Sequence, residues 1–217
     1  MSAPSPEQER LVQRWLDAQT NVKTWSADFV QTRTLKALTQ PLVSTGRVWF
    51  AAPNQFRWEL GDPAQTIALR LSEQMLVIYP LLKRVEKYPM NSGAKGPWRD
   101  ALALLEAGFP RDRQELDRQF RITSATPSQT NQSLELTLQP RTSGARRMMP
   151  QIKIAFSTND WMLVATELHF ADGSVLRNDF TNAKRNFSID EKMFQPDLGP
   201  EYRWIEPLAA TAKPRRK

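Results

Sequence analysis

The sequence predicts a mainly β, α+β domain: a strongly curved antiparallel sheet of about ten to eleven strands whose concave apolar face is covered by helices. Three observations lead there. Hydrophobicity alternates with period two through most segments between Trp25 and Phe180, the pattern of half-buried strands. The breaks between those segments are short, which favours antiparallel neighbours. About ten such strands are too many for a flat sheet, so the sheet must curl or close.

The first element reads as a helix. Ser5 is a good N-cap, Pro6 suits the first helical position and Gln8 completes a capping box. Leu11, Val12, Trp15, Leu16 and Ala18 then form one apolar stripe. Strands follow at Trp25–Leu35, Leu42–Ala51, Gln55–Leu60, Thr66–Ser72 and Met75–Tyr88, separated by Pro41, Pro53-Asn54, Gly61-Asp62-Pro63 and Glu73-Gln74. Leu42–Ala51 is apolar on both faces, with Leu42, Val48 and Phe50 against Val43, Trp49 and Ala51. A strand of that kind should be covered on both sides.

A loop from Asn91 to Pro97 then leads into a second helix, Trp98–Gly108, whose apolar residues are Ala101, Leu102, Leu104 and Leu105. A short helical piece is expected at Arg111–Arg118. Strands resume at Gln119–Ser124, Ser133–Gln139, Gln151–Ser157, Met162–Phe170 and Val175–Phe180, the last two joined by Asp172-Gly173, a hairpin signal. Ser133–Gln139 alternates cleanly, so these strands should have one wet face. Arg146-Arg147-Met148-Met149 reads as a loop after Gly144, and Ile189–Pro207 as a wrap over the sheet. The whole is expected to be one domain, 1–207, with a basic, disordered tail at 208–217.

Composition excludes much chemistry. The 217 residues include no cysteine and one histidine, so thiolate metal sites, iron–sulfur clusters, disulfides and cysteine nucleophiles are out. The 8 glycines never form G-x-G, which removes dinucleotide fingerprints and P-loops. No cofactor and no metal are expected. Four basic residues of the tail, Lys213, Arg215, Arg216 and Lys217, supply more than half of the net charge of +7. The remaining charges alternate in sign along strands, unlike the one-sided basic faces of nucleic-acid binders, so nucleic acid is not expected and brief membrane proximity is. The longest apolar run, Met75 to Leu82, is broken by Pro80 and is far short of the roughly 20 residues of a membrane helix. Residues 1–10 have neither the basic nor the apolar region of a secretory signal.

Residues 27–59 carry a resemblance. Ala27-Asp28-Phe29-Val30-Gln31, Gly46-Arg47-Val48-Trp49-Phe50 and Pro53-Asn54-Gln55-Phe56-Arg57-Trp58-Glu59 resemble, in order and spacing, the opening signature of the LolA-like outer-membrane lipoprotein carriers. The resemblance implies a half-barrel with a helical lid over a hydrophobic cavity. It implies a periplasmic, monomeric carrier that takes the acyl chains of a lipoprotein from an inner-membrane donor and passes them to an outer-membrane acceptor. Phe56 and Trp58 match the family's aromatic positions after the Pro-Asn turn, in the cavity wall or its mouth. The family's arginine before that turn, which holds the lid, is Ala52 here. LolA-like proteins with Gln-Thr-Arg-Thr-Leu, as at Gln31–Leu35, accompany acyl or polyene lipid synthesis, an alternative cargo.

The expected acyl-binding residues are Phe29, Val48, Phe50, Phe56, Trp58, Leu69, Leu71, Leu76, Ile78, Leu102 and Leu105. Alternation alone lets them fill a packed core, whereas the resemblance assigns them to a cavity. A carrier needs no catalytic residue, since each buried methylene contributes roughly 0.8 kcal/mol, and the chain is expected not to be an enzyme. An enzyme on the same scaffold would need ionisable groups converging inside the cavity. His169, beside Glu167 on one strand face, and a Glu59/Glu86 pair are the candidates, though both positions read as solvent-facing. A module that docks a partner through an open sheet edge is a third alternative.

Overall fold

The computed structural model describes residues 5–53, 55–71, 73–89, 109–110, 112–128, 130 and 132–207. Helix α1 (Pro6–Gln19) starts where the capping box predicts: Ser5 Oγ accepts from the Gln8 N–H and the Gln8 side chain accepts from the Ser5 N–H. The strands are β1 (Thr24–Thr34), β2 (Leu42–Ala51), β3 (Gln55–Leu60), β4 (Thr66–Arg70), β5 (Gln74–Tyr79), β6 (Arg84–Pro89), β7 (Phe120–Ser128), β8 (Ser133–Pro140), β9 (Gln151–Ser157), β10 (Leu163–His169), β11 (Val175–Arg185) and β12 (Arg203–Ile205). Two short helices, α2 (Arg113–Gln119) and α3 (Ser143–Met148), complete the α-helices among the described residues. The strands form one 12-stranded sheet, in the order β12-β6-β5-β4-β3-β2-β1-β11-β10-β9-β8-β7. Its two end strands do not pair with each other, so the fold class is mainly β with an open sheet and not a closed barrel.

Three elements differ from expectation. The single strand expected at Met75–Tyr88 is two strands around a 3-10 turn, Pro80–Leu82, after which Lys83 has φ 45°. Pro80 fixes its own φ and has no N–H for the ladder. The segment around Arg146 to Met149 is mostly helix α3, because Thr142 Oγ1 caps the Ala145 N–H and no proline intervenes before Pro150. The C-terminal wrap also contributes a strand, since β12 pairs in parallel with β6, Trp204 opposite Val85. The lid helix expected at 98–108, with Leu102 and Leu105, and the tail at 208–217 lie outside the described residues.

The chain divides into two compact units. The first takes its described residues from 5–22, 29–44 and 109–183, and the second from 23–28, 45–89 and 184–207. In the first unit, Leu134, Leu136, Leu138, Ile152, Ile154 and Phe156 are all fully buried. Trp15 of α1 packs on Phe156 with ring centroids 4.9 Å apart. The opposite face is wet, as alternation requires, and there Lys153 pairs with Glu135 at 3.2 Å.

The second unit has its own core. Leu69, Leu76, Ile78 and Val85 meet Phe194 of the C-terminal wrap, with Trp49, Ile67, Leu71, Ile189, Met193, Leu198 and Tyr202 packed around them. Polar contacts fix the wrap from both ends. Arg57 donates to the Met193 carbonyl at 3.1 Å while pairing with Glu59 at 2.6 Å, and the Arg203 N–H donates to the Lys83 carbonyl at 2.8 Å. Truncating Phe194 to alanine opens a cavity in that core and should cost about 3–5 kcal/mol, read from the urea midpoint; an unchanged midpoint would show that the wrap does not close the core.

Candidate functional site

Register decides which side chains share a surface. Residues directly opposite in an antiparallel pair lie on one face. Val48 opposes Trp58, Trp58 opposes Ala68, Ala68 opposes Val77 and Val77 opposes Glu86. The neighbouring row on that face is Phe50, Phe56, Arg70, Met75 and Tyr88. This first face holds Val48, Phe56, Trp58, Ala68, Met75 and Val77, all buried. Leu69, Leu76, Ile78 and Val85 occupy the second face, beneath the wrap.

The expected acyl-binding residues within the second unit therefore divide between its two faces. Val48, Phe50, Phe56 and Trp58 share the first face, and Ala68, Met75 and Val77 join them. Leu69, Leu71, Leu76 and Ile78 belong to the core on the second face, where Phe194 and its neighbours surround them. The apolar run Met75 to Tyr79 gives no clue to this, because every residue in it looks equally suited to either face. Phe29 lies in the first unit, buried and edge-on to Phe180 at 6.2 Å. Leu102 and Leu105 fall outside the described residues.

The first face ends in a polar group on β5 and β6. Glu86 accepts from the Tyr88 hydroxyl at 2.8 Å and the Tyr79 hydroxyl at 3.4 Å, and pairs with Arg84 at 3.4 Å. The Arg84 guanidinium lies 4.2 Å from the Tyr79 ring centre. Burial, then the bond to Glu86, drives the Tyr88 hydroxyl far above the ordinary tyrosine range. One carboxylate, one guanidinium and two phenols thus meet beside buried apolar residues, with Arg84 Nε left without a hydrogen-bond partner among the described residues. Sequence reasoning missed this group, although Arg84-Val85-Glu86-Lys87-Tyr88 alternates and would place Arg84, Glu86 and Tyr88 on one side.

The catalytic candidates separate. Glu59 and Glu86 are not solvent-facing, with side chains only 21% and 16% exposed, but Glu59 shares a face with Ile67 and Val85 while Glu86 points the other way. The sheet stands between them, so they cannot act on one substrate atom. His169 is half-buried and bonded to Glu167, which also holds Arg177 at 3.2 Å. In the first unit a buried polar chain runs from Gln31 Nε2 to Asn178 Oδ1, 3.0 Å, and from Asn178 Nδ2 to Thr166 Oγ1, 3.1 Å. Each bond offsets the cost of burying these groups. No cluster of three metal-ligating side chains occurs among the described residues.

A protein-family model described as outer membrane lipoprotein carrier protein LolA matches residues 20–197. The chain belongs to the LolA family. No curated protein matches its sequence. Among solved structures, an uncharacterized conserved protein from Thermus thermophilus is 11% identical, with TM-score 0.54, over 90% of this chain and 98% of that one. At that identity the likeness shows the fold alone. A DUF1329 family protein from Desulfovibrio piger is 9% identical, with TM-score 0.49, over 89% and 98% of the two chains. Mycobacterium tuberculosis lipoprotein LppX is 8% identical, with TM-score 0.43, over 86% and 100%.

Within this LolA-family chain, Ala52 stands where the resemblance puts a lid-holding arginine. Ala52 is exposed and its N–H donates to the Lys23 carbonyl at 2.8 Å, a backbone tie that any residue but proline could make. No described helix is long and apolar enough to cross a membrane.

The Tyr88 hydroxyl carries a pH signature. Its folded pKa lies above the unfolded value of about 10, so the folded state keeps the proton longer. The stabilisation is complete below pH about 10 and is lost as pH rises above it. An ultraviolet titration should show a tyrosine phase well above the ordinary tyrosine range, and Tyr88→Phe should remove that phase together with part of the alkaline loss of stability.

Proposed function

We propose that this LolA-family chain is a periplasmic carrier that binds the acyl chains of a lipoprotein or related lipid and moves it toward the outer membrane. The observation that carries the reading is the division of labour between the two sheet faces of the second unit. The second face has its own cover in the C-terminal wrap. The first face carries a second apolar set, Val48, Phe56, Trp58, Ala68 and Val77, buried outside that core, and side chains of this kind suit a chain of methylenes, each worth roughly 0.8 kcal/mol when buried. Tyr79, Arg84, Glu86 and Tyr88 border that surface with polar groups, so an amphiphile could lay its chain along the apolar rows and its head toward β6.

Family membership supports the finer assignments of this proposal. Residues 1–207 act as one carrier domain, a monomer without catalytic activity, with an inner-membrane donor and an outer-membrane acceptor as transient partners.

Native mass spectrometry of the protein purified from a bacterial periplasm tests the reading directly. Co-purified acyl lipid or lipoprotein is the expected result, and protein free of lipid under conditions that load other carriers would sink it. A mutant pair separates the two faces. Trp58→Ala should weaken binding of a fluorescent long-chain fatty acid roughly ten- to hundredfold, the equivalent of losing about 1.5–3 kcal/mol of apolar contact. Leu76→Ala should lower stability by about 2–5 kcal/mol and leave the affinity of the folded protein unchanged.

A further inference from the structure

A second site lies in the first unit, on the wet side of the sheet end formed by β7, β8 and α3. Arg121, Gln139, Pro140, Arg141 and Arg146 line a surface pocket of about 300 Å³, some ten times the roughly 30 Å³ share of a water molecule in the liquid. Arg121 and Gln139 are directly opposite in the β7–β8 ladder, while Phe120, Ile122, Leu138 and Pro140 turn to the buried side. The pocket therefore stands apart from the apolar core.

Two of its three guanidinium groups, those of Arg121 and Arg146, are held without being neutralised. Arg121 Nη2 donates to Gln139 Oε1 at 2.7 Å, and Arg146 Nη1 donates to the Pro140 carbonyl at 3.1 Å and to the Arg141 carbonyl. Every one of these acceptors is uncharged. Among the described residues no carboxylate pairs with Arg121, Arg141 or Arg146, although Arg113, Arg177 and Arg57 elsewhere each have an acidic partner. Helix α3, which presents Arg146, is tied down at both ends. Thr142 caps its start, the Met149 N–H bonds the Ala145 carbonyl, and the Ala171 N–H bonds the Met148 carbonyl at 3.0 Å. Cations without acidic partners around a hollow favour a phosphate oxyanion, which accepts bidentate hydrogen bonds from planar guanidinium groups.

We propose that Arg121, Arg141 and Arg146 form an anion site for a phosphate group, carried either by an anionic lipid headgroup or by a soluble phosphate. The site is independent of the acyl-carrier reading. Arg147 and Met148 are exposed on the same short helix, Met148 by 58%, a pairing of cation and apolar side chain suited to a lipid surface.

The test uses the full chain with two probes: inorganic phosphate followed by calorimetry, and flotation with phosphatidylcholine vesicles with or without phosphatidylglycerol. The double variant R121Q/R146Q should weaken the interaction with at least one probe by about tenfold or more, and R121K/R146K, which keeps charge but not the fork, should recover only part of it. Lys184→Gln, an exposed cation elsewhere, should change little. Binding of phosphate alone assigns a soluble ligand, and retention on phosphatidylglycerol vesicles assigns a headgroup. The proposal is overturned if the wild-type protein binds neither probe, or if R121Q/R146Q and R121K/R146K both bind as the wild type does. Fatty-acid binding by the double variant should equal that of the wild type, which keeps failure of this site distinct from failure of the acyl site.

Discussion

The antiparallel register from Gly46 to Pro89 governs the rest of the structure. A strand's side chains alternate with period two, so a slip of one residue would exchange its two faces entirely. Here both faces of β2 to β5 carry apolar residues, and hydrophobicity alone would tolerate either register. What pins it is polar. Arg57 and Glu59 must face the wrap, where the Met193 carbonyl accepts from Arg57. Glu86 must face Tyr79, Tyr88 and Arg84. A slip would turn Arg57 and Glu59 away from the Met193 carbonyl and Glu86 away from the Tyr79 hydroxyl, leaving half-buried charges with fewer partners.

That register also separates two apolar sets within the second unit. The second face is closed by the protein's own chain, through Phe194 and its neighbours, and its packing needs no ligand. The first face holds a second apolar set, Val48, Phe56, Trp58, Ala68 and Val77, buried outside that core. Placing the polar quartet at one end of it gives the surface a direction, a property that a uniformly greasy wall would lack. The arginine pocket in the first unit repeats the logic with charge: side chains are fixed by neutral acceptors, so their charge is left to act on something else.

Much of the fold was legible in the sequence. Leu42–Ala51, Gln55–Leu60 and Gln151–Ser157 emerge with the boundaries that alternation predicts, because turn residues bracket them. The capping box of α1 is local chemistry within four residues and needs no tertiary contact. Pro80 was visible as a break in an apolar run, but its consequence, two strands in place of one, depends on β6 returning along β5. The site was half legible. Phe56 and Trp58 alternate with charged neighbours and so declare a face, whereas Leu69, Leu76 and Ile78 sit among apolar residues on both sides.

Local sequence is enough to establish most of the strands, their antiparallel order, the poverty of catalytic groups and, through residues 27–59, the family. These are properties of short segments, set by period, turn chemistry and residue type. Long-range pairing had to settle which apolar residues are core and which form the other face, that Glu59 and Glu86 lie on opposite sides of a sheet, and that Arg121 and Arg146 meet around one hollow. Each of those depends on contacts between segments apart in the chain, such as Arg57 with Met193 and Arg84 with Arg203. Local pattern fixes the direction of a side chain relative to its own strand, and burial is fixed by what arrives to cover it.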